Sequence, residues 1–268
     1  MDKKLFLSII TVNFNNSNGL KKTIESVMSQ SSNDYEHIII DGGSNDDSVE
    51  VIQNALQDSN YSKQLSYWHS KKDKGIYDGM NKGIEKANGE FCLFLNSGDF
   101  LADNDVIQRF SKMNFSTNEI VYTDALFFDS KKEWRVSYPS KITLDFFYQT
   151  KSLSHQNMLF PSSFIKNNHY DLKWKIGADV ALYFKAFVNN NFQFKYIKDV
   201  ISKFEAEEGL SSNTSWQKRH EERLEQIREY LPDYVIDILE RLDTYENKYH
   251  GILRKMKNML GLYSRIRH

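Results

Sequence analysis

The sequence contains one cysteine, Cys92, and it lies within an apolar stretch. A single cysteine excludes both a disulfide framework and a zinc site built on cysteine thiolates, and it suits a reducing compartment. No stretch reaches the roughly 18 apolar residues of a membrane span. The apolar run near the N-terminus is too short for a signal peptide, and polar Asn13 interrupts it early. From these absences we predict a cytoplasmic protein.

Charge of neither sign dominates, because 35 Lys and Arg residues stand against 36 Asp and Glu residues. The formal net charge of −1 gives no global attraction to nucleic acid, so nucleic acid is not expected as a partner. The sequence also lacks a Gly-x-Gly-x-x-Gly pattern after its first apolar segment and a Gly-x-x-x-x-Gly-Lys-Ser/Thr loop. A dinucleotide-binding fold and a P-loop are therefore both disfavoured.

What the sequence does contain is enough apolar material for a large core, since 40% of its 268 residues are hydrophobic. The first hundred residues alternate short β-branched or apolar runs with segments of helical spacing. Strands are predicted at residues 5–12, 35–40, 65–69 and 91–95, with helices at 20–28, 48–56 and 73–87. This alternation predicts an α/β fold with a mostly parallel sheet flanked by helices.

From about residue 103 the elements become more varied. Strands are predicted at residues 119–128, 133–138, 156–160 and 195–203, with the second pairing to the first as a hairpin, and helices at 162–168 and from 176 onward. Residues 215–268 are helical and are interrupted at Pro232. We therefore predict a main domain of residues 1–212, with halves 1–102 and 103–212, and a C-terminal helical extension of residues 213–268.

Polar residues follow each predicted strand of the first half, where ligands of open α/β sheets bind. Four motifs carry them, at residues 8–15, 39–46, 73–83 and 94–99. Each motif alone is weak, but their order and spacing resemble a glycosyltransferase of family two with the GT-A fold. The motifs are most similar to bacterial enzymes that build capsule, exopolysaccharide or O-antigen repeats. The resemblance is clear over residues 5–110 and extends to about residue 205.

The resemblance implies that residues 1–102 bind a nucleotide-sugar and that residues 103–212 bind the acceptor. It implies an inverting transferase that moves a single sugar to a saccharide or a lipid-linked oligosaccharide in bacterial surface polysaccharide biosynthesis. Processive synthases of the family carry Gln-x-x-Arg-Trp, which residues 217–220 do not match. A nucleotidyltransferase would need a Gly-rich phosphate loop, and residues 13–16 do not form one. The alternative is a catalytically degenerate, nucleotide-sugar-binding subunit of an assembly complex.

The motif Asn96-Ser97-Gly98-Asp99 carries a single carboxylate. In the family, an Asp-x-Asp type motif at this place holds a divalent cation that neutralises the leaving diphosphate. The resemblance therefore implies that Asp99 ligates Mg²⁺ or Mn²⁺. It implies that Asn96 contributes a carbonyl oxygen or binds the donor sugar or ribose, with Ser97 in the same donor site. The alternative is a turn that serves only its backbone conformation.

The remaining donor contacts are implied by the other three motifs. Asp41 matches the family residue that accepts the N3–H of uracil, which makes a UDP-sugar the expected donor. Lys74 is expected near the diphosphate and Asp78 near the base or ribose; the alternatives are an exposed charge and a helix-start residue. For Asp41 the alternative is an N-cap or Asx-turn residue, a role that Asp46 fits better. The resemblance places further donor-binding residues at Thr11, Asn13, Asn15, Gly42, Ser44 and Asn81.

A base must accept the proton of the attacking hydroxyl group. Asp179 matches the family's catalytic Asp at the start of a helix, although Ala178 replaces the Glu that often precedes it. His155, in a His-Gln pair before a predicted strand, is the rival candidate. The alternatives are helix capping for Asp179 and a structural role for the histidine. Asn96 and Ala178 are the features that favour the degenerate subunit.

Residues 248–268 contain six Lys and Arg residues and no acidic residue. Six of their apolar residues fall on one helical face and are Ile252, Met256, Met259, Leu260, Tyr263 and Ile266. A basic amphipathic helix of this kind predicts contact with an anionic membrane surface, such as the inner face of the cytoplasmic membrane. The alternative is packing on its own domain or on a partner subunit, as in a homodimer.

Overall fold

Nine strands run through the part of the chain that the computed structural model describes, which is residues 4–148, 152–189, 192–205 and 215–259. They are β1 Leu7–Asn13, β2 Tyr35–Asp41, β3 Leu65–Ser70, β4 Phe91–Phe94, β5 Phe100–Leu101, β6 Glu119–Phe128, β7 Glu133–Val136, β8 Met158–Pro161 and β9 Gln193–Glu205. The helices are α1 Ser17–Met28, α2 Ser48–Ala55, α3 Tyr61–Gln64, α4 Ile76–Ile84, α5 Val106–Ser111, α6 Leu144–Tyr148, α7 Ser162–Asn167, α8 Ala178–Asn189, α9 Trp216–Arg228 and α10 Asp233–Met259.

One mixed sheet connects these strands in the order β3-β2-β1-β4-β8-β6-β9-β5, with β7 beside β6. Strands β3, β2, β1 and β4 are all parallel, so their carboxyl ends meet at one edge. The sheet continues through β8, which is antiparallel to both β4 and β6. The predicted α/β fold is confirmed, and so is the hairpin of β6 and β7.

Strand β1 is buried along its whole length because helices cover both faces of the sheet. Leu7 and Ile9 point into one apolar cluster, which α1 and α2 cover. Ile10 and Val12 point into the other, which α4 covers. A strand covered on both sides is apolar at successive positions, which is the pattern that the sequence showed.

Two segments differ from the predicted pattern or extend it. The strand predicted at 156–160 begins only at Met158, because His155–Asn157 forms a 3₁₀ turn. The Asn157 side chain fixes this turn by accepting hydrogen bonds from the amides of Ile201 and Ser202. Helix α9 and the start of α10 bury Ile227, Ile236 and Leu239 in the same cluster as α4 and α8. The division into domains remains a prediction.

In the described ranges, no helix combines the length and the apolar character that crossing a membrane requires. The basic amphipathic helix predicted for 248–268 is described as helix up to Met259. Residues 260–268, which hold the last part of that prediction, lie outside the described residues.

A buried histidine makes the stability of this fold depend on pH. His37 in β2 is fully buried, and its ring nitrogens lie 2.9 Å from Thr11 Oγ1 and 2.6 Å from the Tyr61 hydroxyl oxygen. Burial lowers the pKa of His37 to about 3. In the unfolded chain the pKa is about 6.5, so only the unfolded state binds this proton as the pH falls below that value. The contribution of neutral His37 to the free energy of unfolding is therefore fully present above pH ~6.5, and it is lost as the pH falls from there towards the pKa of the folded state.

We expect His37 to remove about 2 kcal/mol from the free energy of unfolding between about pH 7 and pH 5. Urea titrations of the wild type and His37→Gln across this range measure the effect, because the glutamine does not titrate. The variant should lose this part of the pH dependence, whereas His169→Gln, at a half-exposed site paired with Glu85, should keep it. Equal pH slopes for wild type and His37→Gln would contradict the prediction.

Candidate functional site

The turn after β4 is held in place by α1. Gly98 has φ +103°, a backbone conformation that side chains disfavour, so glycine is needed at this point of the turn. The Thr23 hydroxyl donates to the carbonyl oxygen of Asp99 at 2.7 Å and accepts from the Gly98 amide at 3.0 Å. Asn16 donates to the carbonyl oxygen of Ser97 at 3.2 Å. These bonds fix the position of the Asp99 side chain at the sheet edge.

Asp99 is only 9% exposed, and its carboxylate accepts a hydrogen bond from Gln156 at 3.1 Å. Burial raises the pKa of Asp99 to about 7, although Gln156 and the nearby His155 act in the opposite direction. The Oδ1 atom of Asn96, on the same turn, is buried and has no hydrogen-bond partner. A buried carboxylate and an unpartnered amide oxygen are ligands suited to Mg²⁺ or Mn²⁺, which takes its other ligands from phosphate and water.

This donor set fits a cation that is bound together with a diphosphate rather than by the protein alone. Within the described ranges, no three His, Cys, Asp or Glu side chains form a group that could hold a metal ion. Asp99 and Asn96 are therefore the side chains of the turn that would hold the cation, and the donor would complete its coordination.

A chain of polar contacts leads from this turn to helix α8. The Nδ2 atom of Asn96 lies 3.0 Å from Nε2 of His155. The Nδ1 atom of the same ring lies 3.5 Å from Oδ2 of Asp179. A neutral His155 with its proton on Nδ1 satisfies both contacts, because Nε2 then accepts from the amide and Nδ1 faces the carboxylate.

The two residues predicted as rival bases are thus neighbours, and both are partly accessible. Asp179 lies in the first turn of α8, where its Oδ1 accepts from the Val180 amide at 2.9 Å. The Tyr77 hydroxyl lies 3.3 Å from the same oxygen and 2.8 Å from the Ile176 carbonyl oxygen. Burial, assisted by the Asp179 charge, raises the pKa of Tyr77 well above its usual value, so Tyr77 remains a hydrogen-bond donor.

A carboxylate from α9 supports the start of α8. Glu222 accepts hydrogen bonds from the amides of Ile176 at 3.2 Å and Gly177 at 2.8 Å. Position 178, where the resemblance led us to expect Glu, holds a buried alanine. Besides Asp179, the start of α8 therefore has a second carboxylate, Glu222, which comes from a distant part of the sequence. The positive end of the helix dipole stabilises its negative charge.

The ends of β1, β2 and β3 are joined at the Asp41 carboxylate. Its two oxygens receive five hydrogen bonds, from Asn13, from the amides of Gly43 and Ser44, and from the hydroxyls of Ser44 and Ser70. Burial acts to raise the pKa of Asp41, but the bonds from Ser44, Ser70 and Asn13 outweigh it and hold the pKa below its usual value. Two carboxylate oxygens offer about four lone-pair sites, so the chain itself fills this acceptor.

The other predicted donor residues fall into different environments. Thr11 is fully buried and contacts His37, so its side chain lies inside the sheet and not in the predicted base pocket. Sequence alone did not show which face of β1 carries this residue. Asn13 lies beside Asp41, with its Oδ1 buried and unpartnered. Asn15 holds the next loop, since its Oδ1 accepts from the Asn45 amide.

The residues predicted from the segment 73–83 are engaged in local structure. Lys74 is exposed, and its amide donates to Asp78. Asp78 also pairs with Lys82 at 2.9 Å, as a helix-start residue does. The Asn81 amide group bonds both backbone groups of Tyr170, at 2.9 Å each, and so ties α4 to the segment that precedes α8. These contacts leave the donor roles of Lys74, Asp78 and Asn81 as predictions.

Two side chains with no predicted role lie against Gly42. A Cβ atom on Gly42 would come within 2.9 Å of Asp73 Oδ2 and 3.3 Å of the Phe14 ring. Phe14 is 65% exposed, although it follows a fully buried strand. The sequence signal that could have identified Phe14 is an aromatic residue placed between turn-forming asparagines. Together the ring and the carboxylate form an accessible rim beside the Asp41 cluster.

Comparison with known proteins identifies the family of this chain. The sequence profile of Glycosyl transferase family 2 matches residues 8–172. An uncharacterized glycosyltransferase of Mycobacterium tuberculosis is 33% identical over 194 residues, which are 67% of this chain and 68% of the relative. A PGL/p-HBAD biosynthesis glycosyltransferase of Mycobacterium bovis is 26% identical over 220 residues, which are 81% of this chain and 83% of the relative.

Solved structures share the fold. Staphylococcus aureus TarS 1–349 in complex with UDP-GlcNAc superposes with a TM-score of 0.61 at 16% identity, covering 79% of this chain and 61% of TarS. The mannosyltransferase PcManGT of Pyrobaculum calidifontis, in complex with GDP-Man and Mn²⁺, gives 0.56 at 11% identity, covering 75% and 57%. This chain thus spans less than two thirds of either structure. The fold is GT-A, and the chain belongs to glycosyl transferase family 2.

Proposed function

We propose that this glycosyltransferase moves a single sugar from a UDP-sugar to a saccharide or lipid-diphosphate-linked acceptor, with inversion, in the biosynthesis of a bacterial surface polysaccharide. The observation that carries the proposal is the polar chain from Asn96 through His155 to Asp179. It joins the turn suited to a diphosphate-bound cation with the side chains suited to activating an acceptor hydroxyl. The reaction takes place in the cytoplasm, where the single buried Cys92 stays reduced.

On the donor side, a divalent cation supplies Lewis-acid stabilisation of the leaving diphosphate. The chain contributes Asp99, a buried carboxylate that Gln156 also contacts. It also contributes the unpartnered Oδ1 of Asn96. Hydrogen bonds between the Thr23 hydroxyl and the backbone of Gly98 and Asp99 hold the turn that carries both side chains at the sheet edge.

On the acceptor side, Asp179 accepts the proton of the attacking hydroxyl. The hydroxyl oxygen forms a bond to the anomeric carbon as the bond from that carbon to the UDP oxygen breaks, and UDP leaves with the electron pair. His155 and Tyr77 contact different oxygens of Asp179 and hold the carboxylate in one orientation. In this assignment His155 is a positioning residue, whereas a direct role as base would make it the catalytic residue.

The nucleobase is proposed to lie on the rim formed by Phe14, Gly42 and Asp73. An exposed ring offers a stacking surface, and the Asp73 carboxylate offers an acceptor for a base or ribose N–H or O–H group. Direct recognition of uracil by Asp41 requires a hydroxyl of Ser44 or Ser70 to turn away from it. The UDP-GlcNAc and GDP-Man of the structural neighbours make both nucleotides worth testing.

The competing function is a nucleotide-sugar-binding subunit without catalysis, which the neutral Asn96 favours. The two functions can be separated by measuring the release of UDP or GDP from a panel of nucleotide-sugars in the presence of Mn²⁺. The wild type is compared with the variants Asp99→Ala and Asp179→Ala. Turnover by the wild type that both variants lose supports the transferase. Tight nucleotide binding without turnover of any donor, with and without saccharide acceptors, would assign the binding subunit instead.

Replacing Phe14 with alanine should raise KM for the nucleotide-sugar by about 10-fold with little change in kcat, because stacking of a base on an aromatic ring contributes about 1–3 kcal/mol. Steady-state kinetics with varied donor measure the effect. Phe14→Tyr should behave as the wild type, since it keeps the ring. Leu172→Ala, at another exposed apolar site, controls for surface truncation. Unchanged KM in Phe14→Ala would place the base elsewhere.

A further inference from the structure

Helix α10 carries an apolar stripe that no described part of the chain covers. Its members are 43% to 65% exposed and are Ile238, Leu242, Tyr245, Tyr249 and Ile252. Another face of the same helix packs on the domain through Ile236 and Leu239, which are 2% and 8% exposed. The helix is therefore anchored at its start, while the stripe faces outward along most of its 27 residues.

The stripe has the spacing of a coiled coil. Successive members are separated by four, three, four and three residues, a period of 3.5. The sequence keeps the same spacing at Met256, Met259, Tyr263 and Ile266. Among the described side chains of residues 238–252, the exposed apolar ones all occupy heptad positions a and d, the narrow seam of a coiled coil, whereas a helix lying on a membrane exposes a wide apolar face. In this heptad Leu242 and Tyr249 occupy a, and Ile238, Tyr245 and Ile252 occupy d.

The charged residues beside the stripe indicate which partner helix binds it and whether the two helices run parallel or antiparallel. Heptad position g holds Arg241, Lys248 and Lys255, and position e holds Leu239, Glu246 and Leu253, of which only Glu246 is charged. Antiparallel pairing of two such helices would set the basic g residues against one another. Parallel pairing instead sets Arg241 of one helix beside Glu246 of the other, which are opposite charges. The seam is thus complementary to a parallel copy of itself.

We propose that α10 pairs with α10 of a second copy of this chain in a parallel two-stranded coiled coil, so that the transferase is a homodimer. The seam runs from Ile238 towards the end of the helix, and the two domains lie at its N-terminal end. The residues of the seam take no part in the candidate site of either copy, so the proposed dimer does not depend on the proposed reaction. Light scattering of the full-length protein during gel filtration, at several concentrations, should give twice the mass of the chain.

A matched pair of variants tests the seam. Leu242→Glu puts a charge at an a position in both copies and should weaken dimerisation on the order of 100-fold. Thr244→Glu adds the same charge two residues away, on the exposed face outside the seam, and should leave the dimer intact. Both residues are exposed in the single chain, so neither variant should change its thermal unfolding once monomeric. A monomeric wild type, or a dimer that Leu242→Glu leaves unchanged, overturns the proposal.

Two further measurements test direction and the competing occupant. Arg241→Glu should weaken the dimer and Arg241→Glu with Glu246→Arg should restore it, as expected only for parallel helices. Leu242→Cys should cross-link across the dimer on oxidation, because the native Cys92 is buried. Flotation of the wild type with vesicles containing anionic lipid, abolished by Leu242→Glu, would assign the stripe to a membrane and overturn the dimer.

Discussion

Asp179→Asn is expected to lower kcat about 10³-fold while KM for the donor changes little. General-base catalysis contributes roughly 10²–10⁴-fold, and the amide of asparagine cannot accept the proton. The substitution is nearly isosteric, so the amide oxygen still accepts from the Val180 amide and the Tyr77 hydroxyl. Transfer to acceptor, measured at saturating donor and acceptor, gives kcat directly. Asp171→Asn, an exposed acid in a turn, should retain wild-type kcat.

His155 decides how this result is interpreted. If Asp179 is the base and His155 positions it, His155→Gln should cost much less than Asp179→Asn. The double variant should then be no slower than Asp179→Asn, because the histidine acts only through that carboxylate. A His155→Gln variant as slow as Asp179→Asn would make the histidine the base. Wild-type kcat in Asp179→Asn would remove both residues from the role of base.

The adjacency of these two residues is what the sequence could not show. Each was identified separately from a local motif, and 24 positions separate them in the chain. The 3₁₀ turn that carries His155 depends on backbone groups of β9, and the helix start that carries Asp179 depends on Glu222 from α9. Contacts of such long range leave no local periodicity, so a prediction from segments treated the pair as rivals.

The parallel strands β1 to β4 could be predicted because their signal in the sequence is local. Buried strands such as β1 and β4 need apolar residues on both faces, and that need is local in the sequence. The same property hid the orientation of polar residues within a strand. Thr11 was assigned to the crevice, yet it contacts His37 in the interior. Where every position is buried, alternation no longer tells which face a side chain occupies.

At the strand ends, the sequence predicted which residues gather but not how their hydrogen bonds are shared. Asp41 was expected to offer a free acceptor to a base. The structure instead gives it five donors from its own chain. A Ser-rich and Asn-rich loop can satisfy a carboxylate in many ways, and only the folded geometry selects one. The exposed Phe14 and the partly buried Asp73 became candidates because both lie against Gly42 and stay accessible.

The turn at Asp99 leads to the most demanding prediction. Asp99→Asn should reduce metal-dependent kcat/KM on the order of 10³-fold, because the substitution removes the carboxylate proposed to hold the cation. The asparagine still accepts the Gln156 hydrogen bond through its amide oxygen, so the turn should fold as before. Calorimetric titration of UDP with and without Mn²⁺ should show that the metal strengthens binding to the wild type and no longer does so in the variant.

Asn96→Asp provides the contrast, because it adds a second carboxylate at the position of the unpartnered amide oxygen. More negative charge among the ligands tightens binding of a divalent cation, so half-maximal activation should need less Mn²⁺ than in the wild type. The new carboxylate also faces Nε2 of His155, and kcat of Asn96→Asp reports whether the base tolerates that charge. If Asn96→Asp needs less Mn²⁺ than the wild type and Asp99→Asn needs more, the cation lies on this turn. Metal-dependent transfer that survives in Asp99→Asn would place the cation elsewhere and leave the buried carboxylate with a structural role.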